Sequence, residues 1–242
     1  AGCVQPSMAP NINAATARVL DAAGIQCVRA RGQGCCGAVK FHLADAEGGL
    51  QQMRANIDAW WPHIERGAAE AIVINASGCG AMVKDYGHLL EGDARYAARA
   101  ARVSELARDV SELLPDIAAA LRGRLRPPEG TLAWHAPCTL QHALKLRGTV
   151  EPQLAALGLP VRPAAEEAHL CCGSAGTYSV LQPELSKQLR ERKLGHLLGS
   201  TAADKPAAIL SANIGCITHL QSGTDVPVRH WIEAVDDLLP KE

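Results

Sequence analysis

Short apolar runs alternate with longer stretches of helical periodicity along the chain. The short runs are rich in aliphatic and β-branched residues, as in Ala71-Ile72-Val73-Ile74. This alternation is typical of α/β proteins, in which helices cover a largely parallel sheet. The pattern predicts strands over 25–30, 70–76, 131–135, 159–163, 207–212 and 226–230.

Four helical segments lie between these runs. In the first, 11–23, apolar residues recur at Ile12, Ala15, Val19 and Leu20, and the segment ends before a glycine, where a left-handed cap is easy. The pattern further predicts a helix over 44–66, a helix over 95–121 that breaks or bends around a proline at position 115, and a helix over 182–198.

A glycine- and proline-rich segment at 123–130 divides the helical and strand patterns into two halves. We therefore predict two Rossmann-like α/β lobes, 1–122 and 131–242, joined by this linker. The 242 residues suffice for two domains of usual size.

Composition excludes several classes of function. Lys and Arg number 24 and Asp and Glu 25, so no basic surplus exists to bind a phosphate backbone, and nucleic acid is not an expected partner. No run reaches the roughly 18 apolar residues that span a bilayer, and the first residues do not resemble a signal peptide. We expect a soluble, cytoplasmic protein.

Eight of the nine cysteines form one pattern that occurs twice. Corresponding positions differ by 135 (138 minus 3), 136 (171 minus 35) and 137 (216 minus 79), which indicates an internal duplication. The first copy is Cys3, Cys35-Cys36-Gly37 and Cys79; the second is Cys138, Cys171-Cys172-Gly173 and Cys216.

Two features distinguish the surroundings of the first copy. The strand predicted over 131–135 precedes Cys138, whereas Cys3 has no such lead-in strand, so we expect the natural amino terminus to lie further upstream. Cys27 stands outside the duplicated pattern, and we expect it to be a buried apolar residue of the strand over 25–30.

Metal binding or redox chemistry is a better interpretation of these cysteines than disulfides, because the chain is large enough to need no covalent staples. Thiolates are soft ligands for zinc and for iron-sulfur clusters. Structural zinc sites use C-x2-4-C hooks, and the chain has none. The side chains of adjacent cysteines point in divergent directions. This favours a cluster of several metal atoms over a single metal ion.

Cys79, Cys138 and Cys216 each follow a predicted strand. Loops at the carboxyl ends of parallel strands form the binding crevice of open α/β sheets. We therefore expect the four cysteines of each repeat to converge there. The glycine after each pair lets the backbone pass close to a cluster and offers it an N–H group.

Histidines near the second repeat are further candidates. His219 lies three residues after Cys216, one helical turn on, so its imidazole could ligate a metal or cap a helix. His135 and His142 flank Cys138, and each could tune a cluster by hydrogen bonding or serve packing and solvation.

The phrases around the cysteines resemble a known family. They resemble the duplicated cysteine-rich CCG domain of the heterodisulfide reductase B subunit and, more closely, the iron-sulfur subunits of bacterial glycolate oxidases. The phrases span the whole chain: Gly2-Cys3-Val4-Gln5-Pro6, Asn56-Ile57-Asp58-Ala59-Trp60-Trp61-Pro62, Ser77-Gly78-Cys79-Gly80, Tyr86-Gly87-His88-Leu89-Leu90, Pro137-Cys138-Thr139-Leu140-Gln141-His142, Leu170-Cys171-Cys172-Gly173-Ser174-Ala175-Gly176-Thr177-Tyr178, Ala212-Asn213-Ile214-Gly215-Cys216 and Pro227-Val228-Arg229-His230-Trp231-Ile232-Glu233.

The resemblance implies an electron-transfer subunit. It would bind iron-sulfur clusters of the 4Fe-4S type through the eight repeated cysteines and would take electrons from an FAD-containing glycolate oxidase subunit. It would pass them to a quinone or another membrane-associated acceptor. This subunit would then lie in the cytoplasm, peripheral to the inner membrane. The substrate chemistry would occur on the partner subunit.

The chain departs from this family in two ways. The amino-terminal ferredoxin-like segment with its C-x2-C-x2-C-x3-C-P runs is absent. The fifth cysteine that the heterodisulfide reductase relatives have in each repeat is replaced by Met82 and His219. Each repeat therefore suits a four-cysteine cluster, a cluster with one other ligand, or a site that contacts a substrate or quinone.

Two alternatives remain at this point. The equivalent subunit of a lactate-utilisation or glycerol-3-phosphate dehydrogenase complex shares the duplicated CCG layout. A module that binds zinc for assembly, without a redox role, would explain the missing fifth cysteine.

Overall fold

A computed structural model of the chain describes residues 2–199 and 201–240. The outer bounds of the two predicted lobes, residues 1 and 242, lie outside the described residues. Within these described residues, six short strands form two sheets. The strands are β1 Ile72–Ile74, β2 Ala107–Asp109, β3 Leu132–Trp134, β4 Val161–Pro163, β5 Ala208–Ser211 and β6 Val228–His230.

Helices connect and cover these strands. They are α1 Gln5–Met8, α2 Pro10–Ala22, α3 Ala38–His42, α4 Ala46–Glu65, α5 Ser77–Lys84, α6 Tyr86–Leu89, α7 Ala97–Leu106, α8 Leu114–Leu121, α9 Val150–Ala156, α10 Tyr178–Leu181, α11 Pro183–Leu198, α12 Ile214–Gln221 and α13 Trp231–Leu238, with 3-10 turns at Val110–Leu113 and Ala202–Asp204 and a π-helical turn at Thr139–Ala143.

None of the helices in the described part of the chain combines the length and the apolar character needed to cross a membrane.

Every strand pair is parallel, which confirms the α/β fold class. β1 pairs with β2 in one sheet, and the other sheet has the order β4-β3-β5-β6. Parallel neighbours need a crossover connection, and helices supply it: α5, α6 and α7 lie between β1 and β2, and α12 lies between β5 and β6. The carboxyl ends of the paired strands therefore lie at one edge of each sheet.

Five of the six predicted strands are confirmed, as β1, β3, β4, β5 and β6. The prediction for 25–30 is wrong, since this segment forms neither helix nor strand and pairs with none of the strands in the described residues. Val28 is 71% exposed, and Cys27 is also exposed. The expectation that Cys27 is a buried strand residue is therefore wrong as well.

The predicted helix over 95–121 is interrupted before the predicted break at Pro115. α7 ends at Leu106, and the next three residues form β2, which pairs with β1. Pro115 lies in the first turn of α8, where its missing N–H costs nothing. The helices predicted over 11–23, 44–66 and 182–198 are confirmed as α2, α4 and α11.

The internal duplication is visible in the order of elements. β1 leads into α5, and β5 leads into α12, each helix carrying a cysteine in its first turn. β2 and β6 are each followed by a helical turn with a capping box. The capping residues are Asp109 with Glu112 after β2 and His230 with Glu233 after β6, and each side chain accepts a backbone N–H of its turn. The repeated cysteine spacing thus corresponds to a repeated strand-helix unit.

The larger hydrophobic core joins residues from both halves. Ile12 and Val19 of α2 and Ile117 of α8 belong to the same buried cluster as Trp134 and Trp231. A smaller cluster lies in the first half and contains Met53, Ile57, Tyr86 and Val103. Residues 123–130 carry no helix or strand, yet the core crosses this segment, so the division into two domains there stays a prediction.

Two buried caps carry ionisable groups with opposite pKa shifts. His230 is fully buried; its Nδ1 accepts the Ile232 N–H at 3.1 Å, and burial lowers its pKa from 6.5 to about 3. Asp109 accepts the Ser111 N–H at 2.8 Å, and burial raises its pKa from 3.8 to about 7. The folded state therefore favours neutral forms of both groups.

The signs of the two contributions to stability differ. Neutral His230 makes its full contribution to the free energy of unfolding above pH 6.5. This contribution is lost as pH falls towards 3, because the imidazole is protonated at a higher pH in the unfolded chain than in the folded protein. The Asp109 contribution is present below pH 3.8 and is lost as pH rises through about 7. Between these limits the two effects oppose one another.

Replacing His230 by Asn keeps a cap acceptor and removes the titration. When pH is lowered from about 7.5 to about 5, we expect the free energy of unfolding to fall by about 2 kcal/mol less in His230→Asn than in the wild type. Urea unfolding at both pH values measures this difference. His88→Asn, in which a 78% exposed side chain changes, is the control. Equal pH dependence in His230→Asn and the wild type would contradict the assignment.

Candidate metal centres

The four cysteines of the second repeat form a chain of pairwise contacts. Cys138 ends the loop after β3, and its thiol contacts that of Cys171. Cys171 contacts Cys172, and Cys172 contacts Cys216 in the first turn of α12. Cys172 and Cys216 are almost fully buried, with 1% and 4% exposed. The structure thus brings this predicted set into one group, here called the second thiol set.

The cysteines of the first repeat form an equivalent group, here called the first thiol set. The thiol of Cys3 contacts Cys35, and that of Cys36 contacts both Cys35 and Cys79. Cys79 lies in the first turn of α5, directly after β1. Cys3 is exposed and Cys36 is buried, so the set runs from the surface into the protein.

Both CCG turns depend on a glycine in the left-handed region. Gly37 has φ of 90° and Gly173 has φ of 95°. A Cβ at Gly37 would lie 2.7 Å from the carbonyl oxygen of Gly49 in α4, and one at Gly173 would lie 2.3 Å from that of Ser186 in α11. Only glycine lets the turn pack this closely against the helix backbone.

Buried polar side chains hold the CCG backbones in place. Asn56 Nδ2 donates to the Cys35 carbonyl at 2.7 Å, and the Tyr86 hydroxyl donates to the Cys36 carbonyl at 2.9 Å. The Ser186 hydroxyl donates to the Gly173 carbonyl at 2.8 Å. The sequence pattern does not indicate these roles, because each residue is at least 13 positions along the chain from the turn it supports.

The thiols in each set differ in acidity. A hydrogen bond from Cys79 lowers the pKa of Cys36 to about 6, and burial raises the pKa of Cys35 to about 11. In the second set, hydrogen bonds from neighbouring thiols lower the pKa values of Cys171 and Cys216. Each set thus favours a thiolate among its thiols, which is the form that binds a metal.

His135 joins the second thiol set. Its ring nitrogen and the sulfurs of Cys172 and Cys216 lie within 4.8 Å of one another, and the residue is 1% exposed. Asn213 Nδ2 donates to the Cys216 sulfur at 3.7 Å, and the Gly173 N–H donates to the Cys171 sulfur at 3.3 Å. From the sequence, His135 was interpreted only as a tuning or packing residue, and Asn213 was not identified as a candidate.

Of the other candidates, His219 lies against the second CCG turn, since a Cβ at Gly173 would be 3.1 Å from its Nε2. His219 Nε2 lies 3.1 Å from the Ser186 hydroxyl and 3.3 Å from the Ser186 carbonyl oxygen. Met82 is 4% exposed and packs in the smaller core. His142 is exposed, with Nε2 at 3.4 Å from the His169 carbonyl oxygen. Ligation by His219 stays a prediction that would require its contacts to Ser186 to change.

The loops that carry the two thiol sets meet between the halves of the chain. The Ser77 N–H donates to the Ala212 carbonyl at 3.1 Å, and the Ser77 hydroxyl lies 2.7 Å from that of Thr139. The Gly78 N–H is 3.5 Å from Asn213 Oδ1. The amino terminus of α5 therefore contacts the loops that precede α12 and follow β3.

This duplicated arrangement matches a described family. The cysteine-rich domain family named CCG matches residues 1–84 and 132–221, which include all eight repeated cysteines. The chain belongs to the CCG cysteine-rich domain family.

Curated relatives of this CCG protein include iron-sulfur subunits. The glycolate oxidase iron-sulfur subunit of Escherichia coli K12 is 53% identical over 100% of this chain and 57% of its own length. The probable glycolate oxidase iron-sulfur subunit of Bacillus subtilis 168 is 28% identical over 93% of this chain and 49% of its own length. The chain thus spans about half the length of these two relatives.

A third relative matches from end to end. Lactate utilization protein A of Anoxybacillus flavithermus is 27% identical over 93% of this chain and 92% of its own length.

The donor groups of this CCG protein fit a thiolate-bound metal centre. Each set offers four thiols in contact, with backbone or amide N–H groups directed at sulfur in the second set. Four cysteine thiolates are the usual ligand set of an iron-sulfur cluster, and N–H donors to sulfur tune its potential.

The close packing of Gly173 predicts a specific sensitivity to substitution. We expect Gly173→Ala to lower the free energy of unfolding by at least about 2 kcal/mol more than Gly158→Ala. Gly158 is the matched control, because it has φ of 88° and nothing within 4 Å of its missing Cβ. Urea unfolding of the chain without added metal measures both. Similar losses in the two variants would show that the α11 contact does not constrain the turn.

Proposed function

We propose that this chain is the electron-transfer part of an iron-sulfur subunit in a glycolate oxidase-like complex. It relays electrons from an FAD-containing subunit to a quinone or another acceptor. The observation that carries this proposal is the 53% identity over the whole chain to a glycolate oxidase iron-sulfur subunit. The carbon chemistry belongs to the partner, so this chain is an oxidoreductase subunit without a substrate-oxidising site of its own.

The eight repeated cysteines are the proposed ligands. Cys3, Cys35, Cys36 and Cys79 would hold one iron-sulfur cluster, and Cys138, Cys171, Cys172 and Cys216 would hold a second. A bound cluster supplies reversible one-electron transfer. The surrounding chain limits access of water, since Cys36, Cys172 and Cys216 are each less than a tenth exposed.

Four thiolates per repeat favour clusters of the 4Fe-4S type. Met82, at the fifth-cysteine position of the first repeat, packs in a hydrophobic core, which supports a site that uses only the four cysteines there. In the second repeat, the position of His135 beside Cys172 and Cys216 supports it as a further contact beyond the four cysteines and the proposed additional ligand His219.

The subunit of a lactate-utilisation complex is the second candidate. The similarity to lactate utilization protein A, which is 27% identical over 93% of this chain, favours it. The higher identity, 53% against 27%, decides for glycolate oxidase.

Zinc binding for assembly is a candidate of a different class. The group formed by His135, Cys172 and Cys216 favours it, because zinc accepts mixed imidazole and thiolate ligands. The four thiols of each set, which contact one another pairwise, and the adjacent cysteine pairs instead favour a cluster, in which different iron atoms take different sulfurs.

The proposed relay requires two partners. One is the FAD-containing subunit that reduces this chain, and the other is a quinone or membrane-associated acceptor. A position in the cytoplasm, peripheral to the inner membrane, would bring this chain to both.

The Cys172→Ser variant separates the two half-reactions. We expect the assembled complex with Cys172→Ser to reduce its flavin with glycolate at close to the wild-type rate. Reduction of the acceptor should fall at least about tenfold, because a hard hydroxyl replaces a soft thiolate ligand. Stopped-flow absorbance of the flavin and steady-state acceptor reduction measure the two steps.

The matched control is Cys27→Ser, since Cys27 is exposed and outside both thiol sets. Both half-reactions should keep wild-type rates in this variant. Loss of flavin reduction in a correctly assembled Cys172→Ser complex would place the carbon chemistry on this chain and contradict the relay. Unchanged rates in both steps would make the second thiol set structural.

A further inference from the structure

A buried lysine lies on the helix that packs against the second CCG turn. Lys193 of α11 is 0% exposed, and among the residues whose burial the structure describes it is the one buried lysine or arginine. Its Nζ donates to the Glu167 carbonyl, four residues before Cys171. A fully buried ammonium is rare unless it is paired with an acid. The Glu167 carboxylate instead binds Arg192 and His196.

The first half has a neutral residue at the equivalent position. Each CCG glycine packs against one helix carbonyl, that of Gly49 in α4 and that of Ser186 in α11, so the two helices align with a shift of 137 (186 minus 49). Seven residues later (56 minus 49, 193 minus 186), or two helical turns on, α4 has Asn56 and α11 has Lys193. Both are buried, at 1% and 0% exposed. The same helix face therefore carries an amide in one half and an ammonium in the other.

These two side chains make the same kind of backbone contact. Asn56 Nδ2 donates to the Cys35 carbonyl at 2.7 Å, and its Oδ1 accepts the Gly34 N–H at 2.8 Å. Lys193 likewise donates to the carbonyl of Glu167, in the loop that leads into the second CCG turn. The first half shows that a neutral amide is sufficient to hold such a loop. The ammonium therefore adds a charge that the backbone contact does not require.

The charge of Lys193 acts on the second thiol set. Burial lowers the pKa of Lys193, and the charges of the Cys172 thiolate and of Glu167 oppose this shift. Cys172 and Leu194, the residue after Lys193, belong to the same hydrophobic core. Charges that interact through a protein interior are screened less than charges in water. A negatively charged group on these thiolates and the buried ammonium therefore stabilise one another.

The two thiol sets adjoin where their loops meet. The Gly78 N–H lies 3.5 Å from Asn213 Oδ1. Cys79 follows Gly78 directly, and Cys216 lies three residues after Asn213. A metal centre on the first thiol set, here called the first centre, would thus face a second centre on the second set across this contact. A difference in charge between the two centres would decide where an electron stays.

We propose that Lys193 raises the reduction potential of the second centre, so that electrons pass from the first centre to the second. This assignment rests on the proposed function, because each thiol set must hold an iron-sulfur cluster. In the transfer the first centre loses one electron and the second gains it, and no bond forms or breaks. A fixed positive charge stabilises the reduced form, which is the more negative one, and net charge is a determinant of cluster potential.

Lys193→Met and Lys193→Gln test the charge. Met keeps an unbranched side chain without the charge, and Gln also keeps an N–H donor for the Glu167 carbonyl. The midpoint potentials of both centres are measured in anaerobic redox titrations followed by electron paramagnetic resonance. We expect the potential of the second centre to fall in both variants. The equilibrium constant for transfer from the first centre to the second should fall at least about tenfold, or about 59 mV.

Two further variants assign the signals and control for charge. Cys172→Ser identifies the signal of the second centre, because it changes a ligand of that centre alone. Lys187→Gln is the matched control, since it removes the same charge from a side chain of α11 that is 53% exposed. Both potentials should keep their wild-type values in Lys187→Gln, and the first centre should also keep its potential in the two Lys193 variants.

Iron and sulfide analysis separates this assignment from the proposed function. A wild-type protein without iron-sulfur clusters would refute the proposed function, and the role of Lys193 with it. If both clusters are present and the second potential is unchanged in the Lys193 variants, the role of Lys193 alone is overturned. A potential that falls in Lys193→Met and not in Lys193→Gln would assign the effect to the hydrogen bond and also overturn it. Either variant that retains both clusters supplies the comparison with wild type.

Discussion

Parallel strand pairing is the constraint on which both thiol sets depend. β1 and β5 each end where a helix begins, and the cysteine in the first turn of that helix is fixed by the register of its strand. β3 lies beside β5 in parallel, so the loop after it delivers Cys138 to the same edge of the sheet. An antiparallel partner would carry this loop to the opposite edge and separate the sulfurs.

The CCG turns add a second constraint, which acts between elements. Gly37 packs against α4 and Gly173 against α11, each within a distance that no side chain permits. Each CCG turn is therefore fixed in position relative to the helix it packs against. Hydrogen bonds from Asn56, Tyr86 and Ser186 hold the same backbone, so protein contacts position both CCG turns.

The two halves share one hydrophobic core. α2 and α8, which precede the predicted linker, contribute to the core that contains Trp134 and Trp231. The Trp231 indole N–H donates to the Ser111 hydroxyl at 3.2 Å, which joins the caps that follow β2 and β6. A change in one repeat can therefore reach the other through packed residues as well as through the loops at Ser77 and Thr139.

The sequence predicted the elements that have a strong local signal. The runs that become β1 and β5 are apolar and short, and the duplicated spacing indicated that four cysteines would converge in each repeat. β2 was missed because Ala107-Arg108-Asp109 continues a helical pattern, and only pairing with β1 makes it a strand. The segment at 25–30 has strand composition and no partner. His135 and Asn213 joined the second thiol set through tertiary contacts that spacing does not encode.

Elemental analysis of anaerobically purified protein tests the central claim most directly, namely that each thiol set holds an iron-sulfur cluster. Iron and acid-labile sulfide should be present in equal amounts, without zinc, and each should fall by about half in Cys36→Ser and in Cys172→Ser. Cys27→Ser should keep the wild-type content. Zinc without sulfide, or an iron content that neither variant lowers, would contradict the account.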